Sequence, residues 1–152
     1  GNLKNSSLKT RKIGEYPIYL VATPQFIKDH PIENISDLAD VPWIGHTLLN
    51  WQDSQYILQN SLGEQYSLPF IRSQYESNSV TAIHQMALSS LGVAICPAWL
   101  VDEDIQQNRL IRLFPDFSLP LQSIQLLYPH SSNLPAKMRA FIDYLIANLS
   151  FS

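Results

Sequence analysis

The sequence predicts an α/β domain, and three observations predict it. Short β-branched and aromatic apolar runs alternate along the chain with segments whose apolar residues recur at helical spacing. The changeovers are marked by capping residues, prolines or a glycine. With 152 residues, 45% of them hydrophobic, the chain can bury a core without disulfides or metal.

Tyr19-Leu20-Val21-Ala22 is the first buried-strand candidate. It stops at Thr23-Pro24, where Thr can cap a helix and Pro suits its first position. A short helix over residues 25–30 then ends at Pro31, and Ser36-Asp37 opens a second over 36–40. Residues 41–48 read as a strand. Residues 55–60 and 66–75 read as a strand pair joined around Gly63, with Pro69 marking an edge. Asn78 and Ser79 offer caps for a helix whose stripe is Ile83, Met86, Ala87 and Leu91, and Gly92 is its expected stop. A strand over 93–96 follows, and Pro97 opens a short helix through Leu100. Residues 109–113 alternate, and 121–128 read as a further strand. Pro135 starts a last helix with Met138, Phe141, Ile142, Leu145, Ile146 and Leu149 on one face.

Charged residues are only 15%, and Ser, Gln and Asn supply the polarity instead. A net charge of -3 gives no electrostatic reason to bind nucleic acid or an anionic membrane. No apolar run approaches the ~18 residues of a membrane helix. Lone Cys96 sits in an apolar strand, so a buried inert thiol and a reducing compartment are expected. A start at Gly1 without Met suggests a cut fragment.

Catalytic chemistry has no signature here. His30, His46, His84 and His130 lack a second ligand at helical spacing, so no metal site is expected. Asp102-Glu103-Asp104 reads as a solvated turn at a helix end. There is no nucleophile elbow and no glycine-rich phosphate loop, and Cys96 with a distant His84 lacks an orienting group. No enzyme activity and no cofactor are expected.

A different signal occurs three times: a strand ends and a helix starts at once, at Ala22-Thr23, at Tyr75 into Asn78-Ser79, and at Cys96-Pro97. In open α/β sheets ligands bind outside the carboxyl ends of the strands, where helix starts offer free N–H groups to an anion such as a carboxylate. Convergence of the three ends would make Thr23, Asn78, Ser79, Cys96 and Pro97, with Thr47 after the third candidate strand, the ligand-binding residues. The competing reading is that Thr23, Asn78 and Ser79 only cap helices.

The chain resembles the effector-binding domain of LysR-type transcriptional regulators. The resemblance rests on the segments Tyr19-Leu20-Val21-Ala22-Thr23-Pro24, Ile35-Ser36-Asp37-Leu38, Asn78-Ser79 through Gly92-Val93-Ala94-Ile95-Cys96-Pro97, Arg109 to Asp116, and Ile124 to Pro129 with Leu134-Pro135 to Leu145. They occur in the family's order across nearly the whole chain. Ser90-Leu91-Gly92 replaces a usual Gly-x-Gly, Asn108 stands where Gly is common and Phe117 where Trp is common.

The resemblance implies a two-lobed fold similar to type 2 periplasmic-binding proteins, with the second lobe complete and the first partial. Residues 1–22 would be partial first lobe and crossover, 23–120 the second lobe, and 121–152 the return strand and final helix of the first. A small-molecule effector would bind between the lobes. DNA would be contacted only through an N-terminal helix-turn-helix absent from these residues, in a cytoplasmic, bacterial, homo-oligomeric parent with no membrane partner. A solute-binding transport protein, which shares the lobed fold, is the alternative.

Overall fold

The computed structural model describes residues 8–47, 56–68, 72–129 and 135–148. In chain order its elements begin β1 (Leu8–Tyr16), β2 (Ile18–Ala22), α1 (Pro24–Asp29), a 3₁₀ helix (Ile35–Asp40), β3 (Trp43–His46), β4 (Ile57–Asn60), β5 (Gln65–Ser67) and β6 (Tyr75–Ser77). They continue with α2 (Val80–Leu88), β7 (Val93–Pro97), α3 (Ala98–Gln106), β8 (Ile111–Arg112), β9 (Phe117–Ser118), β10 (Gln122–Pro129) and α4 (Ala136–Asn148). The class is α/β, as the alternation predicted. Two compact units result, one of Pro17–Pro120 and one of Gly1–Tyr16 with Leu121–Ser152. The expected boundary at Ala22/Thr23 differs from this one because β2 is hydrogen-bonded between β7 and β8, inside the sheet of the larger unit.

The larger unit is built on a five-stranded sheet of order β6-β3-β7-β2-β8. β3 runs parallel to both β6 and β7, whereas β2 runs antiparallel to β7 and β8. Burial on both faces explains why Leu20-Val21-Ala22 and Val93-Ala94 read as unbroken apolar runs. Val21, Ile44, Ala94 and Cys96 from the sheet pack with Ile83 and Ala87 of α2, Val101 of α3 and Leu110. Fully burying the valine, isoleucine and leucine side chains among them is worth ~1.5–3 kcal/mol each. Buried Trp43 donates its Nε1 proton to the Leu38 carbonyl at 2.7 Å, tying the 3₁₀ helix to the start of β3. A smaller antiparallel sheet, β5-β4-β9, completes the unit.

Gly92 sits where two backbones nearly touch. A Cβ there would lie 2.9 Å from the Pro42 carbonyl oxygen, the atom that accepts from Val93 N–H at 3.0 Å. Two turns that lack a glycine use left-handed residues instead, Ser90 at φ 61° and Asn108 at φ 59°.

Several expectations need correcting. The strand expected over 66–75 is two strands in different sheets, β5 in the hairpin with β4 and β6 parallel to β3. The helix expected to stop at Leu100 continues to Gln106, since Ala98, Val101 and Ile105 carry an apolar stripe through the acidic triplet. Gln55, Leu48, Pro69, His130 and Leu149 lie outside the described residues.

In the smaller unit β1 and β10 pair antiparallel, with an irregularity between Lys12 and Gly14. Ile124, Leu126 and Tyr128 are half-buried while Ser123, Gln125 and Leu127 face solvent, the period of a one-sided sheet. α4 lies against β1. Among the described residues of its expected apolar stripe, Ile142 is buried and Leu145 half-buried, while Met138, Phe141 and Ile146 are exposed.

Candidate functional site

The parallel strands β6, β3 and β7 lie side by side, so their carboxyl ends form one edge. Ile44 pairs with Tyr75 and with Ala94, and His46 with Ser77. Continuing that register puts Thr47 level with Asn78 on one side and with Pro97 on the other. Thr47 N–H donates to the Ser77 carbonyl at 3.0 Å, which fixes the two strand ends together. Four of the residues singled out from sequence therefore share this edge: Thr47, Asn78, Ser79 and Pro97. Thr47, Asn78 and Ser79 are exposed there.

The start of α2 is held by two serines. Ser79 Oγ accepts from Ala82 N–H at 3.3 Å, and Ser77 Oγ accepts from Ser79 N–H at 3.1 Å. An α-helix leaves its first N–H groups without intrahelical acceptors, and α2 has no acidic residue in its first turn to neutralise them. Thr47, Asn78 and Ser79 add side-chain donors alongside. Backbone and side-chain donors from two strand ends and one helix start therefore lie along one edge. The start of α3 contributes less, because Ala98 N–H already donates to the Pro17 carbonyl at 2.9 Å.

Thr23 does not belong to this edge, Cys96 reaches it only with a buried side chain, and the three helix starts do not converge. β2 is antiparallel to β7, with Ile18 opposite Pro97 and Val21 opposite Ala94. The end of β2 thus lies at the other end of the sheet from Pro97. Thr23 is buried there, accepting from Phe26 N–H at 3.0 Å and sharing a 2.6 Å hydrogen bond with Ser90. The capping reading describes it fully. Cys96 reaches the right end, but its side chain is 1% exposed in the core, and burial pushes its thiol up to about 12, with the Asp104 charge adding to the rise.

A buried polar cluster went unread in the sequence. His84 Nε2 donates to Asp104 Oδ2 at 2.6 Å, and Arg109 Nε donates to Asp104 Oδ1 at 2.7 Å. Burial raises the Asp104 carboxyl, but the bonds from Arg109 and His84 outweigh it and hold the group below its ordinary 3.8. The acidic triplet lies inside α3 rather than in a turn: Asp102 and Glu103 are exposed as expected, but Asp104 is buried and faces α2. The legible signal was spacing, since Asp104 follows Val101 by three positions on the apolar face. The cluster supplies His84 with an acidic partner, but the Cys96 thiol is too buried and too weakly acidic to serve as a nucleophile. Among the described residues no group of three or more His, Cys, Asp or Glu could hold a metal ion, and no helix is long and apolar enough to cross a membrane.

Comparison with known proteins gives one consistent picture. Residues 1–150 match the family model of the LysR substrate binding domain. The transcriptional regulator PtxR of Pseudomonas aeruginosa is 31% identical over 96% of this chain and 46% of its own length. The regulatory domain of AphB from Vibrio vulnificus, in a C227S variant, is 33% identical with a TM-score of 0.74, covering 94% of this chain and 70% of that one. The CrgA regulatory domain of Neisseria meningitidis, at 22% identity and a TM-score of 0.73 over 99% of this chain and 72% of its own, shares the fold. The chain spans about half the length of the curated relatives it matches.

Proposed function

The chain belongs to the LysR substrate-binding domain family, and on that premise we propose that its effector is a small carboxylate held at the carboxyl ends of β3, β6 and β7. Its fold is that family's type 2 periplasmic-binding-protein-like α/β fold, and its function is that of the effector-binding regulatory domain. The matched relatives are bacterial transcriptional regulators rather than transporters, which sets the solute-binding alternative aside.

The observation that carries the carboxylate reading is the start of α2. Its unneutralised N–H groups, Ser79, Asn78 and the adjacent Thr47 offer hydrogen-bond donors within one edge, with no lysine or arginine among them. An anion there would be held by backbone dipoles and neutral donors, so binding is of modest affinity. The domain binds rather than catalyses. In the parent regulator, DNA contact falls to a helix-turn-helix outside these residues, and effector binding biases a cytoplasmic homo-oligomer on its promoter. Charge agrees, since -3 disfavours duplex binding by these residues themselves.

The test is inducer response in the parent regulator. Thr47→Ala with Ser79→Ala abolishes the response and leaves promoter binding intact. Thr23→Ala, which removes a buried cap and its bond to Ser90, keeps the response and lowers stability by ~1–2 kcal/mol. A normal response from the double variant would place the site elsewhere.

A further inference from the structure

Away from the strand-end edge, the larger unit carries a groove of about 440 Å³. Glu33, Asn34 and Ile35, Tyr66 of β5, and Phe114 and Phe117 line it. The Tyr66 and Phe117 rings meet edge to face, with centroids 5.5 Å apart and an interplanar angle of 77°. Phe114 keeps its half-buried place in a left-handed backbone, φ 50°, which bulky residues rarely adopt. The rim opposite is fixed: Asp37 Oδ2 accepts from Glu33 N–H at 2.9 Å and from Asn34 N–H at 2.8 Å.

The charge around these rings is negative. Glu33 lines the groove, and Tyr66 donates its hydroxyl proton to Glu64 Oε2 at 3.1 Å, bringing a second carboxylate to the ring. Among the described residues no lysine or arginine lines the groove. Arg112, which donates to the Phe117 carbonyl at 3.1 Å, is turned onto the Tyr19 ring, 3.9 Å from its centroid. Aromatic faces attract cations through their quadrupoles, and a carboxylate beside them adds a charge-assisted bond. The volume is within the range of small-ligand pockets, ~300–1,000 Å³.

We propose that this groove binds a small organic cation, an alkyl- or arylammonium ion, between the Tyr66, Phe114 and Phe117 rings and the Glu33 carboxylate. It shares no residue with the strand-end edge, so the two sites stand or fall separately.

Titration of the 152-residue chain with phenethylamine, followed by amide chemical shifts, tests the assignment. Saturable shifts are expected at Asn34, Ile35, Tyr66, Phe114 and Phe117. Phenylacetate and 2-phenylethanol, which keep the ring and lose the positive charge, should bind at least about tenfold more weakly. Glu33→Gln, at an exposed position, should weaken phenethylamine about three- to tenfold. Tyr66→Leu, which keeps apolar bulk and removes the quadrupole, should weaken it about fivefold. Shifts confined to other residues, phenylacetate binding as tightly as phenethylamine, or unchanged affinity in Glu33→Gln would each overturn the proposal. If Tyr66→Leu fails to fold, the Glu33→Gln result decides.

Discussion

Replacing Asp104 by Ala should cost more stability than any exposed charge in the chain, because it dismantles the cluster joining α2 to α3. Two bonds are lost. The 2.6 Å bond from His84 ends on a carboxylate that is 10% exposed, and its donor is 12% exposed. A hydrogen bond to a charged group in that setting is worth ~1.5–3 kcal/mol. The Arg109 side chain is 50% exposed, so solvent screens its bond, and ~0.2–1 kcal/mol is the appropriate scale. Together they predict a loss of ~2–4 kcal/mol at pH 7. Guanidinium unfolding followed by tryptophan fluorescence reads this out, with buried Trp43 reporting on the native sheet. The midpoint should fall without a change in slope. Acidity supplies a second arm. Because the folded-state pKa lies below the unfolded 3.8, the carboxylate's contribution is complete above 3.8 and is lost as pH falls through the folded value. The gap between wild type and Asp104→Ala should therefore close in acid. A variant within ~0.5 kcal/mol of wild type at pH 7 would refute the reasoning, as surface substitutions away from such features give.

Three further outcomes follow from packing. Gly92→Ala should destabilise by ~1–3 kcal/mol in urea melts, because the new methyl meets backbone at Pro42 rather than a movable side chain. Cys96 should resist an aromatic disulfide reagent in the native chain and react fully in denaturant, its thiol being buried and pushed up to about 12. In α4, Ile142→Ala should cost ~2–5 kcal/mol, as for other buried large-to-small changes. Phe141→Ala, at 51% exposure, should cost well under the ~3–5 kcal/mol of a buried ring, which parallel thermal melts can separate.

The elements that were legible in the sequence are those whose burial leaves a local pattern. Leu20-Val21-Ala22 and Val93-Ala94 are apolar on both faces, and Thr23-Pro24 and Ser79 cap helices wherever they occur. Strand direction leaves no such pattern. The segment before Thr23 reads alike in either orientation, so nothing local told that β2 is antiparallel to β7 and that Thr23 points away from the site. Asp104 misled because a charge usually marks solvent, and its partners His84 and Arg109 come from α2 and from beyond α3. The stripe on α4 was legible as helical spacing, but spacing alone does not say what covers it: among the described residues Ile142 is buried while Met138, Phe141 and Ile146 are exposed. Tyr66, Phe114 and Phe117 were invisible as a group, since β9 brings Phe117 back beside the β4–β5 hairpin from far along the chain.

The most direct test of the effector site is an amide-shift titration of the chain with acetate, succinate and benzoate, repeated on Asn78→Asp. Asn78 is exposed, and an acid before α2 favours the helix dipole while repelling an anion at the same place. The account predicts shifts centred on Thr47, Asn78, Ser79 and the first turn of α2. It also predicts binding weakened about tenfold in Asn78→Asp, the size of a like charge worth ~1.4 kcal/mol, with no loss of thermal stability. Undiminished carboxylate binding in Asn78→Asp, or shifts centred on Thr23 at the opposite end of the sheet, would contradict it.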